Sequence, residues 1–151
     1  MRRAGRTAVF LAAIVLFHAN PVRGDDRAQI RAVMDTQVAA WNRGDLEAFL
    51  EGYIKSPELL FASRGTFARG WEPLLERYRK AYPEGEMGHL SFDSLEVRML
   101  SADAAWVTGM WALEKTDASP HGAFTLIFRK TDDGWRIIHD HSSGVPEKKQ
   151  E

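Results

Sequence analysis

The sequence predicts an α+β chain in which helices come first and a run of long antiparallel strands comes last. Three observations carry this. Apolar residues recur at helical spacing in three segments before Pro83, and they alternate at period two beyond Gly88. No helix-patterned segment interrupts the later strands, so the helical crossovers that a parallel sheet needs are missing. With 151 residues, 44% of them hydrophobic, the chain can bury one compact core but not two.

The first segment is not read as part of that core. Met1-Arg2-Arg3-Ala4-Gly5-Arg6 is basic and leads into an apolar run from Ala8 to Phe17, then the breaker Asn20-Pro21 and Val22-Arg23-Gly24. This order reads as a secretory signal peptide over residues 1–24, cleaved after Gly24, with a periplasmic or secreted destination. The run is shorter than the roughly 20 residues that span a bilayer, so no stable membrane insertion is expected after cleavage; an uncleaved anchor is the alternative. There is no cysteine, which excludes a lipid-bearing Cys, disulfides and thiol chemistry. Loss of Arg2, Arg3, Arg6 and Arg23 would take the formal charge from -1 to -5. An acidic chain without a Lys/Arg block argues against nucleic acid as a partner.

From Asp26 to Trp41 the residues Ile30, Val33, Met34, Val38 and Trp41 form a helical stripe, which Asn42-Arg43-Gly44 stops. Asp45 is placed to cap a short second helix over Leu46 to Leu50, ending near Gly52. Leu59 to Ser63 reads as a strand, and Arg69-Gly70 closes the turn after it. Pro73 in a first turn, with Leu74, Leu75, Tyr78 and Tyr82 on one stripe, predicts a third helix running to Pro83. Beyond Gly88, Leu90 and Phe92 share one parity and Leu95, Val97 and Met99 the other, so a β-bulge is expected near Ser94. Strands over Ala104 to Lys115, Ala123 to Lys130 and Trp135 to Ser142 follow, joined as a meander by turn-forming residues. The tail over residues 147–151 reads as disordered.

Both faces of these strands are apolar. Trp106 and Met110 lie on one face of their strand and Val107, Trp111 and Leu113 on the other. A second apolar face predicts a partner sheet, hence a homodimer, with Trp111 and Ile137 near the centre of the contact.

Three stretches in order, Val38 to Phe49, Tyr53 to Gly70, and Gly134-Trp135-Arg136-Ile137-Ile138-His139-Asp140-His141-Ser142-Ser143, resemble the nuclear-transport-factor-two-like superfamily. Within it the chain looks like the SnoaL-like branch, and its end resembles the association domain of calcium/calmodulin-dependent kinase II. The resemblance runs from about Ile30 to Pro146, within one domain over residues 25–146. It implies a cone-shaped, strongly curved antiparallel sheet packed on three N-terminal helices around an internal pocket. It does not imply an activity, since the superfold hosts isomerases, dehydratases, hydrolases, cyclases and binding modules. Against the ketosteroid isomerases, Phe61 stands at the position of the base, Gln37 at that of the oxyanion tyrosine and Leu126 at that of the protonated acid. Isomerase chemistry of that kind is therefore not expected. The arginines of the kinase association domain would correspond to Met110, Leu126 and Ser142, so a carboxylate ligand held by that cluster is not implied.

By the same comparison the pocket face of the last strand carries Arg136, Ile138, Asp140 and Ser142, with Trp135, Ile137, His139 and His141 opposite. Asp140 then stands among Phe61, Trp106, Met110 and Leu126, where desolvation would raise its pKa and suit it to acid/base work. The alternative is a structural carboxylate bonded to Gln37, Arg64 or backbone amides. Tyr53 is placed near the pocket mouth, and Gln37, Tyr53, Phe61, Arg64, Trp106, Met110, Leu126 and Ser142 are the expected ligand contacts. His139 and His141 share a strand face but fall short of a zinc signature, so no metal is expected. Without a glycine-rich phosphate loop no nucleotide cofactor is expected either. The resulting expectation is an exported pocket protein for a small apolar or mixed-polarity molecule. The alternatives are a cofactor-independent cyclase, dehydratase or hydrolase using Asp140, and a structural dimerisation module.

Overall fold

A computed structural model describes residues 24–83, 85–115 and 119–145, so the expected signal peptide and tail lie outside the described residues apart from Gly24. Helix α1 spans Gly24–Asn42, and Ile30, Met34, Gln37 and Trp41, spaced by four, three and four residues, are its buried stripe. Its end is held by backbone bonds from Gly44 to Trp41 and from Asp45 to Ala40. The Asp45 side chain then accepts from the Ala48 amide at 3.0 Å and caps α2, Leu46–Leu50. Helix α3, Trp71–Ala81, buries Leu74 and Leu75 and carries Arg79 and Lys80 in its last turn, where cations complement the helix dipole. Among the described residues no helix is long and apolar enough to cross a membrane.

The six strands are β1 (Leu60–Ser63), β2 (Thr66–Arg69), β3 (His89–Met99), β4 (Ala104–Glu114), β5 (His121–Thr131) and β6 (Gly134–Ser142). They form one sheet, curved and unclosed, in the order β2-β1-β6-β5-β4-β3. The last four make the expected antiparallel meander, but β1 runs parallel to β6. The short β2 is an addition to the sequence reading. It pairs with β1 through the two-residue turn Arg64-Gly65, where both residues have positive φ (50° and 71°), as a type I′ hairpin turn requires.

Two bulges set which side chains meet the helices. The expected one falls between Asp93 and Glu96, with Ser94 at φ 53°. A second lies at Ile138, where the β5 pairing passes from Phe128↔Ile137 to Ile127↔His139 and skips one residue. Beside it, β6 changes its other neighbour. Ile137 bonds to the backbone of Gly52 and Ile54, whereas His139 to Ser142 pair with β1.

The second bulge corrects the sequence reading of β6. Trp135 and Ile137 face inward with 1% and 0% exposure, and Asp140 faces inward too at 3%, because the extra residue restores its parity. Arg136 and Ile138 are not on the pocket face, and Ile137 is core rather than part of an outer contact.

On β4 the expected faces are reversed. Ala105, Val107, Gly109 and Leu113 are buried on the helix side, so Trp106 and Met110 point outward and Met110 is 43% exposed. The cause is register. Val107 sits opposite Leu126 and Val97, both inward residues, which leaves Trp106 beside Ile127 and Arg98 on the outer face. Helix α1 is tied to the sheet edge by Asn42, whose amide donates to the Leu90 carbonyl at 3.0 Å and accepts from its N–H at 2.7 Å.

Candidate functional site

The helices cover only part of the concave face. What they leave is a cavity of about 1120 Å³ between α3, the β1–β2 hairpin and the inward residues of β3 to β6. Its floor is built around Asp140. In β6 this residue lies opposite Phe61 of β1 on one side and Leu126 of β5 on the other, so two apolar side chains flank the carboxylate. Tyr53, in the bridge that joins α2 to β6, donates its hydroxyl to Asp140 Oδ2 at 2.7 Å. Ser142, two residues on and on the same face, donates to Oδ1 at 2.8 Å. Tyr78 of α3 lies close enough to Tyr53 and Asp140 to interact electrostatically with both.

Burial raises the pKa of Asp140 above its ordinary value, because removing the carboxylate from water disfavours its charge. The hydroxyls of Tyr53 and Ser142 and the nearby His139 and His141 act in the opposite direction without cancelling it. Burial pushes the Tyr53 and Tyr78 phenols well above their usual value, and the Asp140 charge adds to this. Both phenols therefore stay protonated. Each Asp140 oxygen accepts one protein hydroxyl and retains acceptor capacity for a ligand donor.

The walls are aromatic. Trp41, Phe49, Phe61, Tyr78 and Tyr82 form an edge-to-face cluster, with Trp41 5.1 Å from Phe49 and 4.8 Å from Tyr82 between ring centroids. Across from them, Phe92 packs on Phe124 at 5.3 Å, and Trp111 donates its indole N–H to the Ser143 carbonyl at 2.9 Å. The mouth is basic, with Arg64, Arg77 and Lys115 among its lining.

Of the expected contacts, Gln37, Tyr53, Phe61, Arg64, Leu126, Asp140 and Ser142 all line the cavity. Trp106 and Met110 do not, for the register reason given above. Trp111, expected at an outer contact, is instead a cavity wall. Tyr53 belongs to the floor and not the mouth, being 3% exposed. The partners of Asp140 are Tyr53 and Ser142 rather than Gln37 or Arg64. The Gln37 amide nitrogen is engaged by the Phe49 carbonyl at 3.0 Å and packs where a side chain on Gly52 would collide with it. Tyr78, Tyr82, Arg77 and Lys115 were missed as site residues. The two tyrosines were visible as the end of an apolar helical stripe, and their hydroxyls were the signal that this end does not face a dry core. Among the described residues no group of three or more His, Asp or Glu side chains is placed to hold a metal.

A sequence profile of the SnoaL-like domain matches residues 30–147. A crystal structure of an NTF-2 like protein of unknown function from Shewanella oneidensis is similar at 42% identity, over 78% of this chain and 98% of that one, with a TM-score of 0.75. An NTF2-like superfamily protein from Salmonella enterica is similar at 18% identity over 84% of this chain and 96% of that one, with a TM-score of 0.69. A domain of unknown function with a cystatin-like fold from Nostoc punctiforme is similar at 19% identity, covering 84% and 82% of the two chains, with a TM-score of 0.70. No match is found among curated proteins.

Proposed function

Because the chain belongs to the SnoaL-like family of the nuclear-transport-factor-two-like superfamily, we propose that it is a small-molecule pocket protein whose ligand sits in the cone against Asp140. The observation that carries this is a buried carboxylate, flanked by Phe61 and Leu126 and held by two hydroxyls, that borders a large aromatic cavity. Ligand pockets of about 300–1,000 Å³ with apolar walls and few convergent polar groups have this character. A chain using the fold purely as a structural module would gain stability by filling such a space, since voids cost packing energy. Native mass spectrometry of protein purified from its own cells tests the reading. A co-purified small molecule, lost on replacing Leu126 by Trp, is expected; an empty pocket that also binds no member of a broad ligand library would overturn it.

A second reading treats the same site as catalytic. Its support is that burial raises the pKa of Asp140, a direction that favours proton exchange between this carboxyl and a bound ligand. Asp140→Asn would then abolish turnover while leaving binding largely intact, whereas unchanged turnover would remove Asp140 from the chemistry.

Export and assembly complete the proposal. The basic start and the apolar run from Ala8 to Phe17 support secretion to the periplasm or medium, and secreted protein is expected to begin near Asp25. A homodimer is proposed through the outer sheet face, centred on Trp106, Met110, Ile127 and Ile138 in place of Trp111 and Ile137. Glu96, Arg98 and Arg129 edge this apolar patch with both signs of charge, as a self-complementary contact needs. Trp106→Glu should yield monomer in sedimentation; a wild-type monomer at micromolar concentration would contradict the contact.

A further inference from the structure

The cavity is chemically two-ended. Its floor holds the one carboxylate among its described lining residues, and its mouth holds three cations, Arg64, Arg77 and Lys115. These cations converge on the aromatic ring at the end of α3. Lys115 Nζ lies 5.2 Å from the Tyr82 ring centroid, and Arg77 lies 5.3 Å from that of Phe61. Arg64 and Arg77 both act electrostatically on the Tyr82 hydroxyl. None of the three is in an ion pair with a described residue.

Arg64 gives an independent indication. It occupies the first central position of the β1–β2 turn at φ 50°, left-handed backbone that disfavours an L side chain other than Asn or Asp. Asn-Gly is the preferred pair there, and Arg-Gly is strained. The turn would form better without arginine, so its presence calls for a role beyond the turn. It places Arg64 in the cavity lining that Lys115 and Arg77 share, and Arg77 Nη1 donates to Thr66 Oγ1 of the same hairpin at 3.1 Å.

We propose that Arg64, Arg77 and Lys115 form an anion seat at the cavity mouth, and that the ligand is an amphiphilic organic anion. Its apolar or aromatic body lies along Phe61, Tyr78, Trp111 and Phe124, its carboxylate, sulfonate or phosphate rests among the three cations, and a hydrogen-bond donor at its inner end meets Asp140. This rests on the pocket reading above and adds the charge and polarity of the ligand. Guanidinium groups suit such anions because their N–H fork matches two oxygens at once.

The test uses two fluorescent probes with one aromatic skeleton, 1-anilinonaphthalene-8-sulfonate and the uncharged N-phenyl-1-naphthylamine. In wild type the two should displace each other, with the sulfonate about tenfold tighter and its advantage shrinking as salt is raised. Arg64→Asn, which suits the turn and keeps the fold, and Arg64→Asn with Arg77→Gln should cut sulfonate binding stepwise by about tenfold in total while leaving the neutral probe within about twofold. Neutral-probe binding with no preference for the sulfonate, or a preference that survives the double substitution in a folded protein, would overturn the anion seat alone. Failure of both probes to bind would overturn the pocket reading and the seat with it.

Discussion

At one end of the concave face, Ala105, Phe128 and Ile137 lie side by side across β4, β5 and β6 with no exposure at all. At the other end, Trp111, Phe124 and Ser142 border a cavity built from the same strands and the same concave face. The difference comes from what the helices bring. The first end is closed by fully buried residues such as Ile30 of α1 and Trp135. The second is faced by Tyr78 of α3 and by Tyr82 at its C-cap, rings that line the cavity and carry hydroxyls. Alternation decides which side of a sheet a residue faces. Whether that side becomes core or ligand wall depends on how far the covering helix fills it.

The two ends should answer truncation differently. Phe128→Ala at the closed end should cost about 3–5 kcal/mol, because the void it leaves has no solvent to enter. Denaturant unfolding measures this, and a cost below about 1 kcal/mol would mean that the closed end is not packed as described. Trp111→Ala at the open end should cost less, about 1–2 kcal/mol, since the space adjoins water already and the main losses are partial apolar burial and the bond to Ser143.

Between these lies the floor. Tyr53→Phe removes one of the two hydroxyl donors to Asp140 and should cost about 1–3 kcal/mol near neutral pH. The cost falls on the charged carboxylate, so it should fade as pH drops and Asp140 takes up a proton. A loss independent of pH would assign the effect to packing instead. The smallest effect is expected at the mouth. Arg64→Asn relieves a left-handed arginine and should raise stability by up to about 1 kcal/mol, read by denaturant unfolding; a loss of stability would show that the arginine holds the hairpin.

The sequence disclosed these regions unevenly. The β3 bulge was readable because Leu90 and Phe92 change phase with Leu95 and Val97 across polar Asp93 and Ser94. The β6 bulge was hidden, because Trp135, Ile137 and Ile138 are all apolar and such a run carries no phase. Asp140 and Ser142 still fell on the pocket face in the sequence reading, since both lie beyond the bulge. On β4 both parities are apolar, so Trp106 and Met110 could only be assigned by pairing register, which depends on strands distant in sequence. The α3 stripe showed the helix but not that its last two tyrosines stand over an open space. The basic mouth was beyond reach for a similar reason, as Arg64, Arg77 and Lys115 come from three separate segments brought together by folding.

The measurement that bears most directly on the floor is the stability of Asp140→Asn relative to wild type as a function of pH. The pKa of Asp140 is raised in the fold, so the carboxyl contributes stability below its unfolded pKa and loses that contribution as pH rises through the folded value. Asparagine keeps the size and an acceptor for Tyr53 but carries no charge to desolvate. Thermal or urea unfolding should therefore show the variant at least as stable as wild type at pH 7 to 8, with its advantage shrinking as pH falls through the folded pKa toward the ordinary carboxylate range. That result would identify a charge held in the cavity at a cost to the fold. A clear loss of stability at neutral pH, unchanged or smaller in acid, would contradict it and make Asp140 a structural anchor for Tyr53 and Ser142.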